Sequence, residues 1–270
     1  MPEISEVRIM SEFIQLSSKN LIFTKAEKNP IHKSKTDLSF LKNPFSITST
    51  SRGKELKLHI QETADSTKKD LTFTMGMSGS WIFIPTGEFV PLHTHLLFYS
   101  IVGILGMNDV RRFARWDWRD WNPDRSPDPV EEHEQFRKNI FENQHNRNFK
   151  RPLFELLLDQ KYFNGIGNYL RSTILYHLDI DPSLEFGNLS NKKKNELLTL
   201  CQDFPIFFYQ KNGGQLSTWK NPHNLDTSGI HELLFYKMGN KILDSNKRTF
   251  WYNPKYEKNM SSFIKGTSII

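Results

Sequence analysis

The fold class this sequence predicts is α+β: an N-terminal helix leading into a β-sandwich or barrel, then a helical portion that ends in a hairpin. Three observations predict it. Val7, Met10, Phe13 and Ile14 recur at helical spacing in "EISEVRIMSEFIQLS". Five runs of period two follow, "LIFTKAE", "KELKLHIQE", "LTFTMG", "SWIFI" and "HLLFYSIVGIL", with turn-rich stretches between them. Beyond Arg151 the apolar spacing returns to that of helices.

The first helix is expected from about Ser5 to Ser18, with Glu3 and Glu6 near the positive end of its dipole. The five strand-like runs then make the sandwich. From Trp118 to Arg151 the texture changes. Three prolines precede Val130 and dense charge follows it, as in a linker running into polar helices. Helical spacing carries "LFELLLDQ", "NYLRSTILYHL", "NKKKNELLTLCQDFPIFFYQ" and "GIHELLFYK". In "NKILDSNKRTFWYNP" a turn-prone "DSN" separates two strand-like runs, which reads as a hairpin. The tail after Pro254 is expected to fray. The expected organisation is a helix and β-sandwich domain over 1–120, a linker and polar helix over 121–150, and a helical domain over 151–270.

The chain has 270 residues, of which 37% are hydrophobic and 24% charged, so it has room for a core and is not globally disordered. A formal net charge of +6 favours a polyanionic partner, nucleic acid being the commonest, although a biased genome gives the same excess of lysine. The single cysteine, Cys201, excludes an internal disulfide and a cysteine-built zinc site. It lies in "ELLTLCQDF", where a buried helical thiol is expected. No run approaches the ~18 apolar residues of a membrane helix. "MPEISEVRIMSEF" has no secretory-signal character, so an intracellular site is the expectation.

Two stretches carry chemistry. In "MPEISEV", removal of Met1 leaves Pro2 as a terminal secondary amine, beside the carboxyl of Glu3. A terminal amine titrates near ~7.7–8.0, so much of it is neutral and nucleophilic near neutral pH. In "LLLDQKYFNGIGNYLRSTILYHL" one helix stops and another begins near Asn168. Gly165 and Gly167 admit close backbone approach. The free N–H groups of the second helix, with Lys161, Arg171 and the Asn168 amide, suit a phosphate. A plain helical hairpin with a glycine turn fits the same residues.

Five motifs in order resemble the formamidopyrimidine-DNA glycosylase/endonuclease VIII (Fpg/Nei) family, in its zincless-finger, endonuclease VIII-like branch. They are "PEISEV", "SRGKELKL", "MGMSGS", "NDVRRFA" and "GIGNYL", and with the C-terminal hairpin the likeness runs from Pro2 to about Asn253. The resemblance implies a helix–two-turn–helix at "GIGNYL" and a zincless finger in the hairpin. It implies a bifunctional DNA glycosylase and abasic-site (AP) lyase of base excision repair. Pro2 would attack the sugar C1′, and Glu3 would shuttle a proton to the ring oxygen. Glu6 would support the first helix and assist proton transfers, against the reading as a plain solvated acid at the helix start. Lys54 would hold the phosphate or sugar at the scissile position, against the reading as a surface lysine. Met77, Arg111 and Phe113 would fill the gap left by a flipped base, against a place for Met77 and Phe113 in the sandwich core. Phe250, Trp251 and Tyr252 would pack the finger, and Arg248 would reach the minor groove. The partner implied is DNA with oxidised bases or abasic sites. The protein implied is a monomer away from membranes, with no metal or organic cofactor.

Three positions depart from the family pattern. Thr173 stands where a glutamate is common, Ser5 replaces a proline and reads as a helix cap, and Ala114 replaces a glycine. The "NGGQLSTWKNPHNLDTSGIHELLFYK" region resembles the lesion-contacting loop but is short, which tilts the substrate toward oxidised pyrimidines and hydantoins. Two alternatives stay open: an AP lyase with little base removal, and a damaged-DNA-binding protein without turnover.

Overall fold

The computed structural model describes residues 2–39, 41–64, 68–214 and 230–264. They form two compact units. One holds Pro2 and Glu6–Asn122, and the other holds Glu3–Ser5 and the described residues from Pro123 on. The chain therefore changes unit between Pro2 and Glu3, and again between Ser5 and Glu6.

The first unit contains most of α1 (Ile4–Ser18) and β1 (Phe23–Lys28), β2 (Phe45–Arg52), β3 (Glu55–Glu62), β4 (Lys68–Thr74), β5 (Gly79–Pro85), β6 (Thr94–Ser100), β7 (Gly103–Asp109) and β8 (Arg115–Trp118). Among the described residues these strands make one antiparallel sheet in the order β5-β7-β6-β1-β2-β3-β4-β8. Strands β1 and β2 meet at a single register pair, Phe23↔Phe45. At that narrow seam the sheet folds over on itself into two four-stranded layers. Phe45 meets Phe98 of the other layer at 6.2 Å, and Trp81 near one sheet end meets Phe73 near the other at 5.2 Å. The sandwich core is the alternate inward residues of both layers, closed by Val7, Met10 and Ile14 of α1. The hydroxyls of Ser11 and Ser49 join α1 to β2 at 3.2 Å.

The strand pattern differs from the expectation in three places. "HLLFYSIVGIL" is not one strand. It is β6 and β7 joined by a turn at Ile101 and Val102, where Ile101 is 89% exposed. An apolar turn gives no polar break, so periodicity cannot see it. Strand β2, "FSITSTSR", is rich in small hydroxyl residues, and β8, "RWDW", is too short to show a period.

The second unit contains α2 (His133–Asn143), α3 (Leu153–Leu156), α4 (Asn168–His177), α5 (Asn191–Gln210), α6 (Ile230–Leu233), a hairpin of β9 (Asn240–Leu243) and β10 (Thr249–Tyr252), and α7 (Glu257–Ile264). Helix α4 is its centre, with every residue from Tyr169 to Leu175 buried. Cys201 is buried on α5, and burial pushes its thiol pKa up. The tail after Pro254 does not fray over its described part. It forms α7, whose Met260 enters the core while Phe263 meets Phe154 edge-on at 5.4 Å. Ser5 is not a cap. The helix starts one residue earlier, and the buried Ser5 hydroxyl donates to the Pro205 carbonyl at 2.9 Å. No described helix is long and apolar enough to cross a membrane.

Candidate functional site

In the second unit the carboxylate of Glu3 sits on the N-terminus of α4. It accepts the backbone N–H of Gly167 at 2.7 Å, of Tyr169 at 2.9 Å and of Leu170 at 3.3 Å. Three orphan helix donors and the positive end of the dipole thus converge on one carboxylate that is 1% exposed. The Ile4 N–H donates to the Gly165 carbonyl at 3.2 Å and fixes the strand of chain that delivers it. Gly167 leaves room for the carboxyl group: a Cβ there would fall on the Glu3 side chain. Gly165, at φ +92°, turns the chain into α4. The expected phosphate site at this helix end is therefore occupied by the protein's own glutamate.

Pro2 and Glu6 belong to the first unit, Pro2 half-buried and Glu6 buried in the first turn of α1. Lys54 is half-buried in the two-residue turn between β2 and β3. Gly53 takes φ +56° there and the pair Arg52↔Glu55 closes the turn, as in a type II′ hairpin with glycine first. Glu55, next to Lys54, is buried and accepts the Arg119 guanidinium at 2.5 Å and the Asn122 N–H at 3.0 Å.

The first unit brings Met77, Arg111 and Phe113 together. Met77 lies in the β4–β5 turn and is 46% exposed; Phe113 lies in the β7–β8 loop and is 47% exposed. Neither belongs to the sandwich core. The exposed Arg111 guanidinium stacks over the Phe113 ring at 4.9 Å. The residues flanking Met77 tie the two loops together. Gly76 lies so close to the Phe113 backbone that a Cβ would stand 2.7 Å from its carbonyl carbon. The Ser78 hydroxyl donates to the buried Asp109 carboxylate and accepts the Arg111 N–H at 3.1 Å.

In the second unit Lys161 is exposed in the turn between α3 and α4. The Asn168 amide donates to the Thr249 carbonyl at 2.7 Å and accepts from Arg171 at 2.6 Å, so it holds the hairpin to α4. Arg171 is not a surface charge. It is fully buried, donates to the Phe154 carbonyl at 2.7 Å and to Asp244 at 2.9 Å, and lies 5.0 Å over the Phe250 ring. Burial pulls its pKa down to about 10 against the opposing effect of Asp244. Asp244 also accepts the N–H groups of Asn246 and Arg248, each at 2.9 Å, and the Arg248 Nε at 3.3 Å. Sequence reading missed this residue, although the "DSN" turn carried the signal.

Of the finger aromatics, Phe250 and Tyr252 are buried, with Phe250 stacked on Phe154 at 5.2 Å. Trp251 is on the opposite face of the strand, half-buried beside Tyr236 at 6.5 Å, and is not part of that packing. Thr173 is buried, and its hydroxyl accepts the Phe235 N–H at 3.2 Å. Among the described residues no three His, Cys, Asp or Glu gather as a metal site. Most of the expected lesion-contacting loop, 215–229, lies outside the described residues.

Residues 1–116 match the family model for the formamidopyrimidine-DNA glycosylase N-terminal domain. Endonuclease 8-like 1 of Homo sapiens is 38% identical over 192 residues, 67% of this chain and 49% of that protein. The Mus musculus protein of the same name is 39% identical over 192 residues, again 67% and 49% of the two chains. The chain thus spans about half the length of these curated relatives. Formamidopyrimidine-DNA glycosylase of Carboxydothermus hydrogenoformans is 26% identical over 176 residues, 64% of this chain and 62% of that one. A Lactococcus lactis Fpg mutant solved with Fapy-dG-containing DNA superposes with a TM-score of 0.77 at 18% identity, over 94% of this chain and 99% of that one. That likeness shows the fold. The family-model match and the two endonuclease 8-like relatives place the chain in the Fpg/Nei family, in its endonuclease VIII-like branch.

Proposed function

We propose that this protein is a bifunctional DNA glycosylase and AP lyase that removes oxidised bases, chiefly pyrimidines and hydantoins, from DNA. The observation that carries the reading is the seat of Glu3. A carboxylate one residue from the proposed nucleophile is fixed by three backbone donors. In the proposed sequence the Pro2 nitrogen bonds to C1′ as the glycosidic bond breaks and the base leaves. Glu3 takes the proton that nitrogen then carries. The nitrogen lone pair expels the ring oxygen, Glu3 returns the proton to that oxygen, and an iminium forms. Loss of a C2′ proton expels the 3′ phosphate, and a second elimination releases the 5′ phosphate. Lys54 steadies a phosphate with a point charge. Met77, Arg111 and Phe113 occupy the gap left by the everted base. Lys161, Asn168 and Arg248 are proposed to meet the DNA backbone or minor groove, and Glu6 to support the start of α1. No metal or organic cofactor enters these steps.

One observation favours a narrower reading, an AP lyase with little base removal: position 173 offers a hydroxyl already bonded to Phe235, with no carboxylate. Borohydride trapping separates the two. The processed protein is incubated with duplex DNA carrying an oxidised pyrimidine and with duplex DNA carrying an abasic site. The glycosylase reading expects a covalent adduct on both, lost in Pro2→Gly. An adduct on abasic DNA alone selects the lyase. No adduct on either leaves a DNA-binding protein without turnover.

A further inference from the structure

We propose that Asp109 is a positioning residue that makes Met77, Arg111 and Phe113 one preassembled wedge; the assignment rests on the function proposed above. These three side chains come from two loops separated in sequence by β5, β6 and β7. Loops that act together on one base gap must hold their relative placement before DNA arrives, because ordering them on the DNA lowers affinity and rate. Asp109 is where that placement is made. It is fully buried at the end of β7. One carboxylate oxygen accepts the Ser78 hydroxyl, reaching across to the Met77 turn, and the Arg111 N–H at 3.2 Å. The other accepts the Ala114 N–H at 2.7 Å, just beyond Phe113. A single carboxylate therefore fastens both ends of the Arg111–Phe113 segment and the neighbouring turn.

The backbone of Asp109 is held as firmly. Its carbonyl accepts the Arg112 N–H at 3.1 Å and the Nε2–H of buried His95 at 3.0 Å. Its own N–H donates to the His93 carbonyl at 2.9 Å. Arg112 is driven to φ +56°, a conformation that a non-glycine residue keeps only where its surroundings fix it. That kink separates Arg111 from Phe113 so that the guanidinium folds back over the ring. The arrangement leaves three large side chains exposed on a rigid base, which is the form a gap-filling element needs.

The test uses Asp109→Asn, which keeps the shape but sets an amide donor against the N–H or hydroxyl donors that the carboxylate now accepts. Single-turnover excision of an oxidised pyrimidine from a duplex is measured beside borohydride trapping on a single-stranded abasic oligonucleotide, which has no base gap to fill. The expected result is a loss of about tenfold or more on the duplex, with single-strand trapping within about twofold of wild type. A 2-aminopurine opposite the lesion is expected to lose its fast fluorescence change in step. Equal duplex rates overturn the assignment, and so does an equal loss on both substrates, the mark of general structural damage. If Asp109→Asn does not fold, Ser78→Ala is expected to give the same split at smaller size, and its absence overturns the assignment. A wild-type chain that traps neither substrate overturns the function reading as well.

Discussion

Gly167 shows how much of the proposed chemistry rests on one missing atom. Its N–H binds Glu3, and the space a Cβ would need is filled by the Glu3 carboxyl group. Gly167→Ala is therefore expected to push Glu3 off the α4 N-terminus while leaving α4 itself intact. Single-turnover base excision is expected to fall about a hundredfold, by the cost of a misplaced catalytic group. Circular dichroism is expected to be unchanged, and retention of wild-type rate would show that Glu3 does not need this seat. The glycine was legible in "GIGN", but its purpose was not. Glu3 and Gly167 are 164 residues apart, and no local pattern reports which acid reaches a helix end. Ser5 makes the same point, since a serine near a helix start reads as a cap until its partner on α5 is seen.

Among the elements, the C-terminal hairpin is held to α4 by the buried Arg171–Asp244 ion pair and by the Arg171 guanidinium over the Phe250 ring, and to α3 by the stacking of Phe250 on Phe154. Arg171 and Asp244 are both buried and both carry further hydrogen bonds. Asp244→Leu alone leaves the Arg171 charge buried without its partner, a loss of about 3–5 kcal/mol. The double variant Arg171→Met/Asp244→Leu is expected to recover most of that in a denaturant titration. If the double variant is no more stable than the single, the pair is not what couples the elements. The hairpin was legible from "DSN" between two strand-like runs, whereas the inward turn of Arg171 was not, because a long cation on a helix usually faces water.

The sandwich has its own pH response. His32 is buried, stacked on Trp116 at 4.1 Å, and burial, with His95 nearby, pulls its pKa from 6.5 to about 4. Burial lowers His95 as well. Between these values the unfolded chain binds the proton and the folded chain does not, so acid favours unfolding there. Stability from this source is complete above about pH 6.5 and is lost as pH falls toward about 4. Melting temperature against pH is expected to drop across that window and to drop less in His32→Gln. An unchanged slope in the variant would remove His32 from the account.

Over the whole molecule, the order of elements was largely legible: a helix, strands of period two, a charged proline-rich stretch, helices, a hairpin. The expected strands fell short where the chemistry of the turn or strand is atypical, at the apolar Ile101–Val102 turn and the hydroxyl-rich β2. Candidate residues were readable where they stand on turns. Met77, Lys54 and Phe113 are all held by glycines or short loops that leave a trace in sequence. The buried carboxylates were not readable, neither Asp109, which ties the Met77 and Phe113 loops, nor Asp244, which binds Arg171 and the hairpin turn, since a buried aspartate reads like any surface acid.

The proposed chemistry turns on Pro2, which, once Met1 is removed, supplies the amine that bonds to the sugar. The direct measurement is to trap the processed protein on abasic DNA with borohydride, digest it, and locate the modified residue by mass spectrometry. The adduct is expected on the Pro2 nitrogen. An adduct on Lys54 or any other lysine, or none where DNA binding is intact, would contradict that role for Pro2.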